Sequence, residues 1–434
     1  MSDTAGEKGL MFAFAFAWNV HPSLQFVAQM DDNTERHDRN IHGSCGVSTL
    51  GTIRFLLALA VVCVHVGKLP FSIQLGSLLA VQSFYIISGF LIALVWTNKY
   101  ERSPNGLFLF YSNRAARIYV LYWAVVVISI VAALLTKWLT HDFPSYWSSP
   151  PRGLLPYTLF TNTWIFGSSW AYWLGYDSLP NVSIDHGSFY FTMDYTSSPW
   201  PVWRTMILGP AWTIDLELCF YLLAPLLVRL RLRYILAIIA TSLVARFSWY
   251  AMGHDVDPWN YRFFPFEIGL FMLGAAAYRV SSMLAWQPSP KILIIVFAAV
   301  VGSILEYNML GLRHDSFVYL FIFAALIPYV FNLTRSWRFD RFLADMSFPL
   351  YLAHWPVSSM AIYIREQFLL PPAEYRGLVP AIASIAAAAL LVIFVERPIE
   401  RWRQSRIAPA KAGPSVAAEL SPAPGELARQ LEGG

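Results

Sequence analysis

Apolar runs, each near the length that crosses a hydrocarbon layer, recur along the chain. They lie at 50–69, 75–96, 117–136, 207–228, 234–252, 262–279, 292–310, 317–333, 343–364 and 378–395, and several are interrupted by Pro or Gly. A spanning helix needs about 20 predominantly apolar residues. The pattern therefore predicts an all-α fold: a polytopic membrane protein with about ten transmembrane helices around a polar internal cavity.

The connections sharpen this picture. Lys and Arg are denser in alternate loops, ending with Arg397, Arg401, Arg403 and Arg406. Cytoplasmic loops carry that excess, so both termini are expected in the cytoplasm of a multi-pass cell-membrane protein. Residues 1–46 read as a flexible or interfacial extension; their apolar stretch Met11–Trp18 is too short to span. Residues 47–403 form the membrane domain. Residues 404–434 are rich in Ala, Pro, Gly and Glu and read as a disordered cytoplasmic tail. The long outside loop 137–206 is rich in Trp, Tyr, Ser and Pro. Its aromatic rings suit either the apolar face of a sugar or an interfacial belt.

Composition agrees with lipid as the main solvent. Of 434 residues, 56% are hydrophobic and 13% charged, against about a quarter charged in soluble domains. A net charge of +4 is modest, and no nucleic-acid partner is expected. Cys45, Cys63 and Cys219 lack the spacing of a metal site, and no disulfide framework is expected.

Against this background the ionisable residues inside the apolar runs carry information. The first run contains IRFLLALAVVCVHVG, with Arg54 near its start and His65 near its end. Eleven residues make about three helical turns, so the two share a face about 16 Å apart along the axis. Each has a plain explanation when taken singly: Arg54 snorkels to the interface, and His65 bonds a neighbouring helix. Together they also suit a line of groups along one internal passage. Further runs add Asp215 and Glu217 in AWTIDLELCFYL, Glu267 in PFEIG and His354 in PLYLAHWP. Such groups form a proton relay, a metal site or an acid–base pair. Metal is the weakest of these, since no run holds ligand spacing. An imidazole beside a carboxylate serves as a general base toward a hydroxyl. In YSNRAAR, Arg114 and Arg117 stand three residues apart and share a helical face. That arrangement suits a bidentate phosphate clamp as well as ordinary cytoplasmic charge.

In order along the chain, these pieces resemble the acyltransferase-3 family of integral-membrane O-acyltransferases. IRFLLALAVVCVHVG looks like the family's Arg-x10-His first span, SFYIISGFLI its serine–glycine second span and NRAARIYVLYW its Arg-x-x-Arg pair. AWTIDLELCFYL resembles its Trp–Glu–Phe–Tyr motif with Glu217 at the glutamate position, and SFPLYLAHWPV and ERPIERW its last two spans. The likeness runs from about 50 to 403. Departures are the 1–46 extension, the length of the 137–206 loop, and Leu218 and Cys219 after Glu217.

The resemblance implies transfer of an acyl group, acetyl by the family's habit, from cytoplasmic acyl-CoA to a hydroxyl of a glycan or glycosylated molecule. Acyl-CoA is then a donor substrate, and no permanently bound cofactor or metal is expected. Arg54, Arg114 and Arg117 are expected to bind the donor. His65 is expected to act as general base on the acceptor hydroxyl, with a transient acyl carrier as the alternative role, and Glu217 to orient it or stabilise its imidazolium. Ser88, Trp212, Glu267 and His354 are expected to line the site, and buried donors such as His354 to stabilise the oxyanion. The competing expectation is a proton-coupled transporter or glycolipid flippase, for which membrane-embedded His and Glu are equally typical.

Overall fold

The computed structural model describes residues 50–140, 150–177, 187–284, 288–367 and 375–405. The expected 1–46 extension lies outside these residues, as do 406–434 of the expected tail and segments 141–149 and 178–186 of the long loop. Ten helices of 14 or more residues occur among the described residues. They are α1 (Gly51–His65), α2 (Gly76–Val95), α3 (Gly106–Thr140), α5 (Ala211–Leu227), α6 (Leu232–Ala251), α7 (Phe264–Met283), α8 (Pro290–Leu305), α9 (Phe317–Thr334), α10 (Arg338–Gln367) and α11 (Leu378–Leu391). A shorter α4 (Leu155–Trp164) precedes α5, and α12 (Arg397–Ser405) follows α11. Each of the ten overlaps one of the ten apolar runs.

Among the described residues, five helical stretches are long and apolar enough to cross a membrane: Gly76–Tyr100, Gly106–Trp138, Leu232–Ala251, Phe317–Thr334 and Leu378–Trp402. Helices α1 and α8 are apolar but shorter. The remaining three, α5, α7 and α10, carry Glu217, Glu267 and His354, and those polar groups lower their hydropathy. Burial differs widely within the five long stretches. The apolar window of α2 is 83% buried and that of α6 only 22%, so α2 is central and α6 turns most of its surface outward.

Small residues set the close packing. A Cβ on Gly89 of α2 would fall 1.8 Å from the Phe271 carbonyl oxygen of α7, and one on Gly274 would fall 1.9 Å from that of Ile86. Both positions require glycine, because the helix backbones touch there. The start of α1 is fixed by α10 in a different way. Asp340 accepts from the Gly51 amide at 2.8 Å, the Thr52 amide at 2.7 Å and the Thr52 hydroxyl at 2.7 Å. A carboxylate thus satisfies amides that the first helical turn leaves unpaired, at the positive end of the helix dipole. One turn on, Arg54 is held buried.

Two expectations need correction. Helix α3 begins at Gly106 rather than 117 and continues to Thr140, so the Arg114/Arg117 pair lies inside a continuous helix. The long loop is also structured. It contains α4 and a three-stranded antiparallel sheet, β1 (Leu174–Asp177), β2 (Ser188–Phe191) and β3 (Trp200–Pro201), in the order β2-β1-β3. Among the described residues, this sheet is the exception to a helical fold. Strands of four, four and two residues, one of them exposed throughout, give too short an alternation to read from sequence. Asp215 ties the segment to α5, accepting from the Ser169 amide at 2.9 Å and the Ser169 hydroxyl at 2.6 Å.

Candidate active site

Two cavities lie toward opposite ends of α1. The first, near its N-terminal turn, has a volume of about 100 Å³. Its polar lining includes Arg54 from α1, Ser88 from α2, Arg114 and Arg117 from α3, and Glu217 and Tyr221 from α5. The three-residue spacing puts Arg114 and Arg117 on one face of α3, as their helical position requires. Glu217 accepts from Ser88 Oγ at 3.0 Å and from the hydroxyl of Tyr221, one turn along its own helix. The Arg114 guanidinium lies 5.5 Å from the Tyr221 ring and 5.9 Å from the Phe110 ring. The lining itself holds three guanidinium groups and one carboxylate, with Glu396 and Asp345 close enough to act on Arg117 and Arg54, and planar forks of this kind match phosphate oxygens.

The second cavity, about 410 Å³, gathers around the C-terminal end of α1. His65, His354, Trp355, Trp212 and Arg262 line it, with Tyr172 from the segment before β1. The His65 and His354 ring centroids are 5.3 Å apart, and Trp355 stands edge-on to His65 at 5.6 Å. His65 Nδ1 lies 2.8 Å from the Val61 carbonyl oxygen, and His354 Nδ1 lies 2.7 Å from that of Tyr351. A carbonyl only accepts, so each neutral ring carries its proton on Nδ1 and presents a lone pair at Nε2. His65 is the more accessible of the two; His354 is fully buried.

Val81 and Tyr351 line both cavities, and so form the partition between them. The Tyr351 and Thr213 hydroxyls are bonded across it at 2.8 Å.

This geometry redistributes the expected roles. Arg54, Arg114, Arg117 and Ser88 share the first cavity, while His65, His354 and Trp212 share the second. Glu217 lines the first cavity and not the second, so it is grouped with the arginines instead of with His65. His354 donates through Nδ1 to its own helix, which leaves its neutral Nε2 an acceptor and unsuited to donate to an oxyanion. Glu267 lines neither cavity; it is fully buried in an ion pair with Arg246 of α6. Burying a charge requires such a partner. An arginine within an apolar run was a readable signal that the sequence reading left unused.

Sequence reasoning also missed Arg262. Its Nε donates to Asp257 Oδ1 at 2.6 Å and its Nη2 to Asp257 Oδ2 at 3.0 Å. The guanidinium lies 3.9 Å from the Tyr172 ring and 4.1 Å from the Trp212 ring. Among the described residues, no group of three or more His, Cys, Asp or Glu side chains is placed to hold a metal ion.

Comparison with known proteins supplies the class. The family described as an acyltransferase domain, acyltransferase-3, matches residues 48–395. The chain belongs to this family and is a multi-pass membrane acyltransferase. It is similar to nodulation protein 10 of Rhizobium leguminosarum bv. viciae, with 24% identity over 350 residues, covering 76% of this chain and 83% of that protein. No solved structure matches the chain.

Proposed function

We propose that the enzyme takes an acyl group, acetyl in the simplest case, from acyl-CoA held at the arginine-lined cavity. It delivers that group to a hydroxyl of a glycan or glycosylated molecule in the histidine-lined cavity. The observation that carries this reading is the shared partition: Tyr351 and Val81 belong to both cavities, and α1 presents Arg54 to one and His65 to the other. In this reading the first cavity faces the cytoplasm, where acyl-CoA is made. The acceptor enters from the opposite side. Arg114 and Arg117 grip the CoA phosphates, and the pantetheine arm runs along α1 past Tyr351.

His65 Nε2 takes the proton of the acceptor hydroxyl as its oxygen attacks the thioester carbonyl. The tetrahedral intermediate collapses, the C–S bond breaks, and the CoA thiolate leaves with the proton returned from the imidazolium. The Nδ1 bond to Val61 holds the ring in the tautomer this step needs. Glu217 offsets part of the charge of the three arginines and keeps Tyr221 and Ser88 in place beside them. The test uses membranes supplied with labelled acetyl-CoA. His65→Ala should abolish label transfer while acetyl-CoA still binds; transfer at the wild-type rate overturns the assignment.

A further inference from the structure

Charge in the histidine-lined cavity is one-sided. Arg262 and Arg204 both line it, and none of its lining residues is Asp or Glu. The counter-ion of Arg262 lies outside the lining: Asp257 holds the Nε–Nη2 edge from the loop before α7. Tyr172 and Trp212 cover the guanidinium, and Nη2 also donates to the Tyr261 hydroxyl at 2.6 Å. One edge remains. Nη1 is buried and donates to nothing among the described residues. A buried cationic N–H without an acceptor is costly, more so than the loss of an ordinary hydrogen bond. The side chain nevertheless sits fixed on three sides, which leaves the two N–H donors of Nη1 for an oxygen of a carboxylate or phosphate. Around it the wall is aromatic, with Trp203, Tyr261 and Trp355 joining Tyr172 and Trp212. Such faces suit a pyranose, and Arg262 lies close enough to His65 for its charge to act on the imidazole.

We propose that this cavity binds an acceptor sugar bearing a carboxylate or phosphate, with Arg262 as its anion-binding residue and Arg204 as a second cation at the mouth. The proposal rests on the acyl-transfer reading above and narrows the acceptor to an acidic glycan. Anion binding at Arg262 orients the sugar so that one hydroxyl meets His65. That makes Arg262 a specificity-determining residue, because a neutral sugar leaves the charge at Nη1 without an anionic acceptor.

The test reads occupancy of the cavity without needing turnover. Diethyl pyrocarbonate modifies His65 in the purified full chain, and peptide mass spectrometry follows the rate. Glucuronate and glucose 6-phosphate should protect His65 at concentrations about tenfold lower than glucose does, the equivalent of one charged contact. The two acids distinguish a carboxylate from a phosphate preference. Arg262→Gln should remove the difference while acetyl-CoA binding is retained. Equal protection by glucose, or no protection by any of the three, overturns the proposal in the wild-type protein alone, whether or not the variant folds. Discrimination that survives in a folded Arg262→Gln protein also overturns it. Label transfer from acetyl-CoA in membranes is scored separately. If transfer fails while the acids still protect, the acyl-transfer reading falls and the anion site stands.

Discussion

His65 and His354 face each other with ring centroids 5.3 Å apart, and each gives its Nδ1 proton to a carbonyl of its own helix. Two lone-pair nitrogens, Nε2 of each ring, are thereby turned toward neighbouring space at the end of α1. Both rings line the cavity, and His65 is the more exposed of the two. His354 Nε2 is buried and has no partner among the described residues. In the proposed mechanism His65 meets the substrate and His354 supports it.

Loss of His354 should therefore weaken catalysis without disabling it. His354→Gln should lower kcat about tenfold, a fraction of the 10²–10⁴-fold that a general base contributes, with KM for acetyl-CoA unchanged. A loss equal to that of His65→Ala would make His354 the base instead.

The arginine cavity predicts a different signature. Arg114→Lys keeps the charge but removes the planar fork, so KM for acetyl-CoA should rise about tenfold with kcat little altered. Steady-state kinetics over a range of acetyl-CoA concentrations decides this. An unchanged KM would remove Arg114 from the donor site.

The partition predicts that size at position 351 matters more than the hydroxyl. Tyr351→Phe loses one hydrogen bond to Thr213, a contribution of about 1 kcal/mol, and should transfer within a few-fold of wild type. Tyr351→Trp should block the passage, cutting single-turnover transfer at least tenfold while acetyl-CoA binding persists. Equal rates for both would mean that the acyl group does not pass this side chain.

The Arg246–Glu267 pair is fully buried and lines neither cavity. Removing one partner strands the other charge, so Glu267→Gln should cost about 3–5 kcal/mol. That loss would appear as a lower thermal midpoint in detergent. Arg246→Met combined with Glu267→Leu should recover most of it, and transfer per folded molecule should stay near wild type. A folded Glu267→Gln protein devoid of transfer would return Glu267 to the site.

Much of the helical layout was legible, because apolar runs and helices obey the same length requirement. The Arg54–His65 relation was also legible, since helical period alone fixes residues 11 apart on one helix. What escaped depends on tertiary contact. Glu217 and His65 are both ionisable residues within apolar runs, yet α5 turns Glu217 toward the arginines of α3. Arg262 is the first residue of an apolar run, where its position alone does not separate a site residue from an interfacial charge. Its aromatic partners, Tyr172 and Trp212, come from distant parts of the chain. Asp340 was invisible for the same reason: it caps a helix that begins 289 residues earlier. The sheet between α4 and α5 was too short to show a period.

The central claim is that one donor molecule reaches from the arginines to His65 through the Tyr351 partition. A structure of the enzyme with a non-hydrolysable thioether analogue of acetyl-CoA tests it most directly. The phosphates should lie against Arg114 and Arg117, and the acyl carbonyl carbon within about 4 Å of the space facing His65 Nε2, near the 3–3.5 Å of a reactive approach. An acyl end that stops on the arginine side of Tyr351, or an analogue bound away from both guanidinium groups, would contradict the account.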